Sequence, residues 1–168
     1  DTHPLVFDDV HVPAGNLLGE QGRGYAQFLA TLDDGRVAIA ALAVGLIEAC
    51  LQACVGYAQE RQTFGGPIGR KQGVAFQIAD LKVMADASRA LTYQAAAMKD
   101  AGITGTVFRQ AASVAKLFTS EAAVTATRIA TQVFGGYGFM EEYPVARFYR
   151  DAKILEIGEG TSEVQRML

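Results

Sequence analysis

Between residues 25 and 60, apolar side chains recur at three- and four-residue steps. Leu32, Ile39, Leu42, Leu46, Cys50, Cys54 and Tyr57 form one line, and Leu29, Ala43, Ile47, Leu51 and Val55 widen it. That period is the turn of an α-helix and does not fit the alternation of a strand. The stripe is broad, so the helix has to touch more than one neighbour. Residues 72–101 repeat the pattern with Val74, Ile78, Leu81, Ala85, Ser88, Thr92 and Ala95, and stop at Gly102. Residues 106–134 repeat it with Val107, Ala111, Val114, Phe118, Ala122 and Ile129, and stop at Gly135-Gly136. Alanine is frequent in both, which lets helix axes approach closely. These elements predict an all-α fold, an antiparallel bundle of long helices joined by short loops.

At 168 residues the chain is long enough to bury a real core, and a composition 50% apolar and 20% charged is ordinary for a globular domain. The net charge of −3 and dispersed Lys and Arg argue against a nucleic-acid groove. The most apolar run, residues 37–47, is closed by Glu48 and is too short to span a bilayer, and no signal peptide precedes it. The expectation is a soluble protein of the cytosol or an organelle matrix with no membrane span. Cys50 and Cys54, four apart, share a helix face and read as small core residues in a reducing compartment. His3 and His11 lie in the opening segment with no spacing that suggests a metal site.

The opening segment differs from the rest. Residues 5–12 mix β-branched and aromatic residues with polar ones and predict one extended strand, stopped by Pro13. Such a strand is an orphan, with no partner in this chain to satisfy its backbone. The glycine-rich residues 14–24 read as a connection. An orphan strand at one end and a helix barely begun at the other suggest a piece of a larger protein.

Several positions admit a chemical reading beside a structural one. Asp33-Asp34-Gly35-Arg36 interrupts the first helix with charge and a glycine, a polar notch that faces either a ligand or solvent. Arg61, at the helix's C-terminal end, suits either the dipole there or a phosphate. Gly135, Gly136 and Gly138 stand among Phe134, Tyr137 and Phe139, where a backbone can approach a flat ligand closely or simply stop a helix. A short helix is predicted over residues 145–154, with Arg147, Arg150 and Lys153 exposed. Finally, Glu159 sits between Gly158 and Gly160, a setting that either leaves a carboxylate unshielded, as suits a general base, or is a plain loop before a capped helix. Thr161 and Ser162 offer hydroxyls to cap a following helix, and Ser162 with Gln165 has the spacing of a capping box.

Leu32-Asp33-Asp34-Gly35-Arg36, Glu60-Arg61-Gln62-Thr63-Phe64-Gly65, Ile78-Ala79-Asp80, Gln132-Val133-Phe134-Gly135-Gly136, Glu142-Tyr143-Pro144, Tyr149-Arg150-Asp151-Ala152-Lys153-Ile154 and Glu159-Gly160-Thr161-Ser162-Glu163-Val164-Gln165-Arg166 follow one another in register. Together they resemble the acyl-CoA dehydrogenase family across nearly the whole chain. The resemblance implies a C-terminal helical-bundle domain at residues 23–168, preceded at residues 1–22 by the last strand of a middle β-domain and a linker. It implies FAD as cofactor and an acyl-CoA thioester as substrate. It further implies an electron-transferring flavoprotein as acceptor and a homo-oligomer, a tetramer in the full-length protein. The location it implies is the cytoplasm in a bacterium or the mitochondrial matrix in a eukaryote.

By motif position, Arg61, Thr63 and Phe64 resemble residues that reach a neighbouring subunit's FAD, with Arg61 near the pyrophosphate. Gln72, Gln132, Gly135 and Gly136 resemble further contacts to that cofactor, and Thr161 and Glu163 those made beside the catalytic loop. Glu159 resembles the catalytic base, removing the α-proton as hydride leaves the β-carbon for the flavin to give a trans-2-enoyl-CoA. Burial beside an acyl chain would suit it to that work near neutral pH. Some members carry the base on the first long helix at the position matching Gly35, which has no side chain to serve. Asp33, Asp34, Arg36 and Gly160 resemble substrate-side residues. The Leu-Asp-x-Gly-Arg form and the C-terminal motif look most like short-chain and short-branched-chain members. A flavin-dependent oxidase of the same superfamily and a non-catalytic oligomerisation module stand as alternatives.

Overall fold

The computed structural model describes residues 3–168; of the opening stretch at residues 1–22, positions 1 and 2 lie outside them. The chain folds into α1 (Gly24–Glu60), a two-residue-per-strand hairpin of β1 (Gln62–Thr63) and β2 (Gly66–Pro67), α2 (Gln72–Asp100), α3 (Gly105–Phe134), α4 (Pro144–Ala152), α5 (Ile154–Ile157) and α6 (Ser162–Met167). It divides into two compact units within α1, after Thr31.

In the first unit residues 5–12 form no strand. The expectation drawn from their β-branched and aromatic residues fails because a strand is a pairing, and no second strand among the described residues offers one. Leu5, Val6 and Phe7 are exposed there. A single 3-10 turn at Ala14–Asn16 precedes the first turns of α1.

In the second unit cross-helix contacts fix the direction of the bundle. Arg89 pairs with Glu48, and Lys99 Nζ lies 2.7 Å from Asp34 Oδ1, so α2 runs antiparallel to α1. Arg109 pairs with Asp33 at 3.4 Å and the Tyr57 ring stacks on Phe134 at 4.0 Å, so α3 runs parallel to α1. The core they share is built from Ala43, Ile47, Cys50 and Cys54 of α1, Leu81 and Ala85 of α2, and Ala122, Ala126, Ile129 and Ala130 of α3, capped by Val145 and Leu155. Burying a side chain such as Ile47 or Leu81 contributes roughly 1.5–3 kcal/mol, while the alanines contribute mainly by letting the axes close up. The length and apolar character of α1 would suffice to cross a membrane. Five of its seven buried residues, however, Ala43, Ile47, Cys50, Cys54 and Ala58, belong to this shared core.

The α2 face expected from the sequence is the buried one: Leu81, Ala85, Ser88, Thr92 and Ala95 are all buried. The α1 stripe is largely the inner face. Ala43, Ile47, Cys50 and Cys54 are buried and Ile39, Leu46, Leu51 and Tyr57 pack against the core, while Leu42 is 62% exposed. The first half of α3 is rotated: Val107 is 61% exposed and Val114 and Phe118 face outward, while Phe108, Ala112, Ala115, Lys116 and Thr119 are buried. Close packing selects small side chains for the inner face, so a stripe drawn through the largest apolar residues lands on the outer one. The single helix expected over residues 145–154 ends at Ala152, and a separate turn begins at Ile154.

Candidate active site

The loop between α5 and α6 turns through two left-handed residues, Glu159 with φ +57° and Gly160 with φ +92°. The left-handed region costs a residue bearing a Cβ about 1–2 kcal/mol, so Glu159 persists there only because its surroundings hold it. Three contacts do so. The Lys116 ammonium donates to the Gly160 carbonyl at 2.8 Å, and the Gln165 amide donates to the carbonyls of both Glu159 and Gly160 at 3.0 Å. The Thr161 hydroxyl accepts from Val164 N at 3.4 Å and caps α6. The capping box expected from Ser162 and Gln165 does not form. Thr161 occupies the cap position, which leaves Ser162 Oγ buried without a partner and turns Gln165 back onto the loop.

The turn aims the Glu159 side chain at α1. A methyl group on Gly35 would come within 3.0 Å of Glu159 Cδ and closer still to Oε2, so the carboxylate rests against the bare helix backbone. The polar notch of α1 surrounds that contact. Arg36 is 5% exposed and pairs with Asp33, whose other oxygen accepts from Arg109 Nε at 3.4 Å. Asp34 is taken up by Lys99 on α2. Glu159, Gly160, Asp33, Gly35 and Arg36 are thus gathered at one place, with Asp34 half-exposed at its edge. Glu163 follows in the first turn of α6, exposed, and its carboxyl is held below the usual range by its own backbone N–H and the Thr161 hydroxyl.

The sequence reading missed Lys116. It is 0% exposed, in a run of Ala, Ser and Thr on the inner face of α3, and burial pushes its pKa down, with the Arg36 cation acting in the same direction. The carboxylates of Glu156, Glu159 and Glu121 oppose that shift. A lysine on a helix face otherwise made of small residues was the available signal.

The other expected site residues fall mostly on a separate cleft of about 500 Å³ at the far end of α1 and α3. Tyr57, Ile68 and Phe134 make its apolar lining, and Gly135, Gly136, Thr63 and Arg61 its rim. The Arg61 guanidinium lies over the Tyr137 ring at 5.3 Å. Nothing lies within 4 Å of where a Cβ on Gly135 or Gly136 would project. Phe64 stands beside the cleft at the tip of the hairpin, 94% exposed with φ +49°, its carbonyl accepting from Lys71 Nζ at 3.2 Å. Gln72 opens α2 and Gln132 lies in the last turn of α3; neither lines the cleft.

Residues 22–168 match the family described as acyl-CoA dehydrogenase, C-terminal domain. This chain belongs to the acyl-CoA dehydrogenase family. A short-chain specific acyl-CoA dehydrogenase of Megasphaera elsdenii is 48% identical over 99% of this chain. The solved butyryl-CoA dehydrogenase of Megasphaera elsdenii superposes with a TM-score of 0.93 at 48% identity over 96% of this chain. A chain from a structure of the electron-transferring flavoprotein of Acidaminococcus fermentans superposes with a TM-score of 0.93 at 42% identity, also over 96% of this chain. The chain spans less than half the length of these proteins, 43% of the relative and 42% of each solved chain.

Proposed function

We propose that this chain is the C-terminal helical domain of an FAD-dependent acyl-CoA dehydrogenase acting on short acyl-CoA thioesters. Glu159 takes the α-proton while hydride leaves the β-carbon, giving the trans-2-enoyl-CoA. The observation that carries this reading is the Glu159 carboxylate, held in a left-handed turn and seated against Gly35. The α-proton of a thioester is weakly acidic, so a base is effective only when fixed in line with the C–H bond. Gly35 leaves the space that the carboxylate uses, and the buried Arg36–Asp33 pair walls that space on the α1 side. Asp33, Asp34, Gly35, Arg36 and Gly160 form the substrate side of this arrangement.

FAD, when bound, supplies the acceptor for the hydride. The cleft fits such a group: an apolar floor of Tyr57 and Phe134 suits a flat ring, the Arg61 cation suits a pyrophosphate, and Gly135 and Gly136 leave the backbone open to close approach. Arg61, Thr63, Gly135 and Gly136 would hold the cofactor there. Phe64, Gln72 and Gln132 would reach it from the exposed side, and Thr161 and Glu163 from the catalytic loop. The outward-facing Val107, Val114, Phe118 and Leu42 support subunit packing in a homo-oligomer, taken here as a tetramer. The similarity to a chain solved with an electron-transferring flavoprotein supports such a protein as electron acceptor. Residues 1–22 are then the end of a preceding β-domain and its linker, with the missing strand partners on that domain.

The test is the visible spectrum of the full-length protein mixed anaerobically with butyryl-CoA. A bound flavin should bleach with the wild type and stay oxidised with Glu159→Gln. An absent flavin, or a Glu159→Gln variant that bleaches at the wild-type rate, removes the base assignment and leaves an assembly module.

A further inference from the structure

The catalytic loop is gripped from beneath by a buried cation. Lys116, wholly buried in the middle of α3, extends its ammonium to the Gly160 carbonyl at 2.8 Å rather than to a carboxylate. Gln165, also buried, reaches back from α6 to the Glu159 and Gly160 carbonyls, each at 3.0 Å. Two donors on two different helices therefore converge on consecutive carbonyls of the one turn whose φ angles are +57° and +92°. Burying an ammonium costs several kcal/mol unless its surroundings compensate, and a lysine held there for packing alone would be more stable as methionine. Ser162 Oγ and Gln165 Oε1 are buried without partners beside it, so this is a polar site kept at a cost to stability.

We propose that Lys116 and Gln165 are positioning residues for Glu159: they clamp the left-handed turn that keeps its carboxylate against Gly35. This rests on the reading of Glu159 as the base. Neither side chain touches the carboxylate. Each acts through the backbone by fixing the peptide planes on the C-terminal side of Glu159, and so the direction of its Cα–Cβ bond. A charge-assisted hydrogen bond to Gly160 is stronger than one a water could make there. Loss of the clamp lets the loop relax toward an ordinary φ, and a base displaced by about 1 Å loses up to about a hundredfold in rate.

The experiment uses the full-length, flavin-loaded protein and butyryl-CoA in anaerobic stopped flow. It compares the wild type with Lys116→Met, Gln165→Leu and Glu159→Gln. Lys116→Met keeps an unbranched apolar stem, one atom shorter, and removes the donor and the charge. The expected result is a split. The limiting rate of flavin bleaching falls by tenfold or more, about a tenth of the displacement loss at the least. The butyryl-CoA dissociation constant, the flavin content and the melting temperature stay near wild type. A limiting rate within about twofold of wild type overturns the proposal. So does a fall in rate matched by an equal weakening of butyryl-CoA binding, because general loosening of the site moves both. If Lys116→Met does not fold, Gln165→Leu is judged by the same split. Glu159→Gln separates the two levels: if it bleaches normally the base assignment itself is wrong, whereas if it is inert and Lys116→Met is normal only the clamp is wrong.

Discussion

The two ends of α1 carry two different kinds of site. Around Asp33–Arg36 side chains of this chain pack on one another: Glu159 rests on Gly35, Arg36 is buried against Asp33, and Lys116 and Gln165 hold the loop. Around Tyr57–Arg61 the chain supplies a floor and a rim but leaves Phe64 in the open. The first is closed in by its own contacts, and the second is open at its rim. The contrast teaches where evolution of the pocket has room. A site whose geometry is closed by its own chain tolerates no change at its contacts, while an open rim tolerates change in folding and registers it only in binding.

The sharpest way to break the contrast is Gly35→Ala. Alanine at a helix interior is about 1 kcal/mol better than glycine, so α1 should become slightly more stable. The same methyl would stand 3.0 Å from Glu159 Cδ and displace the carboxylate. A roughly hundredfold fall in the bleaching rate with a melting temperature at or above wild type is the expected outcome. The next test lies on the open side, in one short loop. Gly138→Ala would drive its Cβ to 3.0 Å from the Thr131 carbonyl carbon, onto backbone that cannot yield. A loss of about 1–3 kcal/mol in urea unfolding is expected. Gly136→Ala, two residues away with nothing within 4 Å, should unfold like wild type and lose only flavin affinity.

What the sequence made legible follows the same division. Helix ends at Gly102 and Gly135, the three long helices and the Glu159 loop could all be read, because period and glycine punctuation are local signals. The inner face of the first half of α3 could not. Its buried residues include Phe108, Ala112, Lys116 and Thr119, mostly small or polar, while the large apolar Val107, Val114 and Phe118 point outward. Hydrophobicity ranks those two faces in the wrong order, and the buried lysine that holds the Glu159 loop lay on the side ranked as solvent. Leu42 on α1 misled in the same manner. The strand at residues 5–12 had the right residue types but depends on a partner, which no local pattern can supply. Of the residues singled out by motif resemblance, all lie near Glu159 or on or beside the cleft except Gln72 and Gln132, which stand outside it.

Between the two sites, on the same helix, lie Cys50 and Cys54. Burial pushes both thiols from 9.0 up to about 12, with the neighbouring Cys54 adding to the shift at Cys50. Below pH 9 both folded and unfolded chains hold neutral thiols, and the favourable burial is intact. Above it the unfolded chain ionises first, so stability is lost as pH rises from 9 toward 12. At pH 10 the loss should be on the order of 1 kcal/mol per thiol. Urea unfolding at pH 8 and pH 10 measures it, and a Cys50→Ala/Cys54→Ala double variant should lack that part of the slope. Because α1 carries both sites on one core, bleaching rate and flavin retention should decline together in this range. Decline of flavin retention alone would mean that the open end has a stability of its own.

The smallest folding effect belongs to Phe64. A side chain 94% exposed gains almost nothing from burial in this chain, so Phe64→Ala should change unfolding by no more than about 0.5 kcal/mol. It could even relieve the φ of +49° no further, since alanine bears the same Cβ. Yet the hairpin keeps a large aromatic in an unfavourable conformation, with Lys71 fastening its carbonyl at 3.2 Å. An exposed aromatic held in a strained turn is what the proposed cofactor contact calls for. Flavin retention in the full-length protein, followed by fluorescence during dilution, should therefore fall severalfold in Phe64→Ala, with the limiting bleaching rate of the flavin that remains unchanged. Wild-type retention would show that the tip of the hairpin faces solvent in the assembled protein, and would shrink the open site to Arg61 and the glycines of its rim.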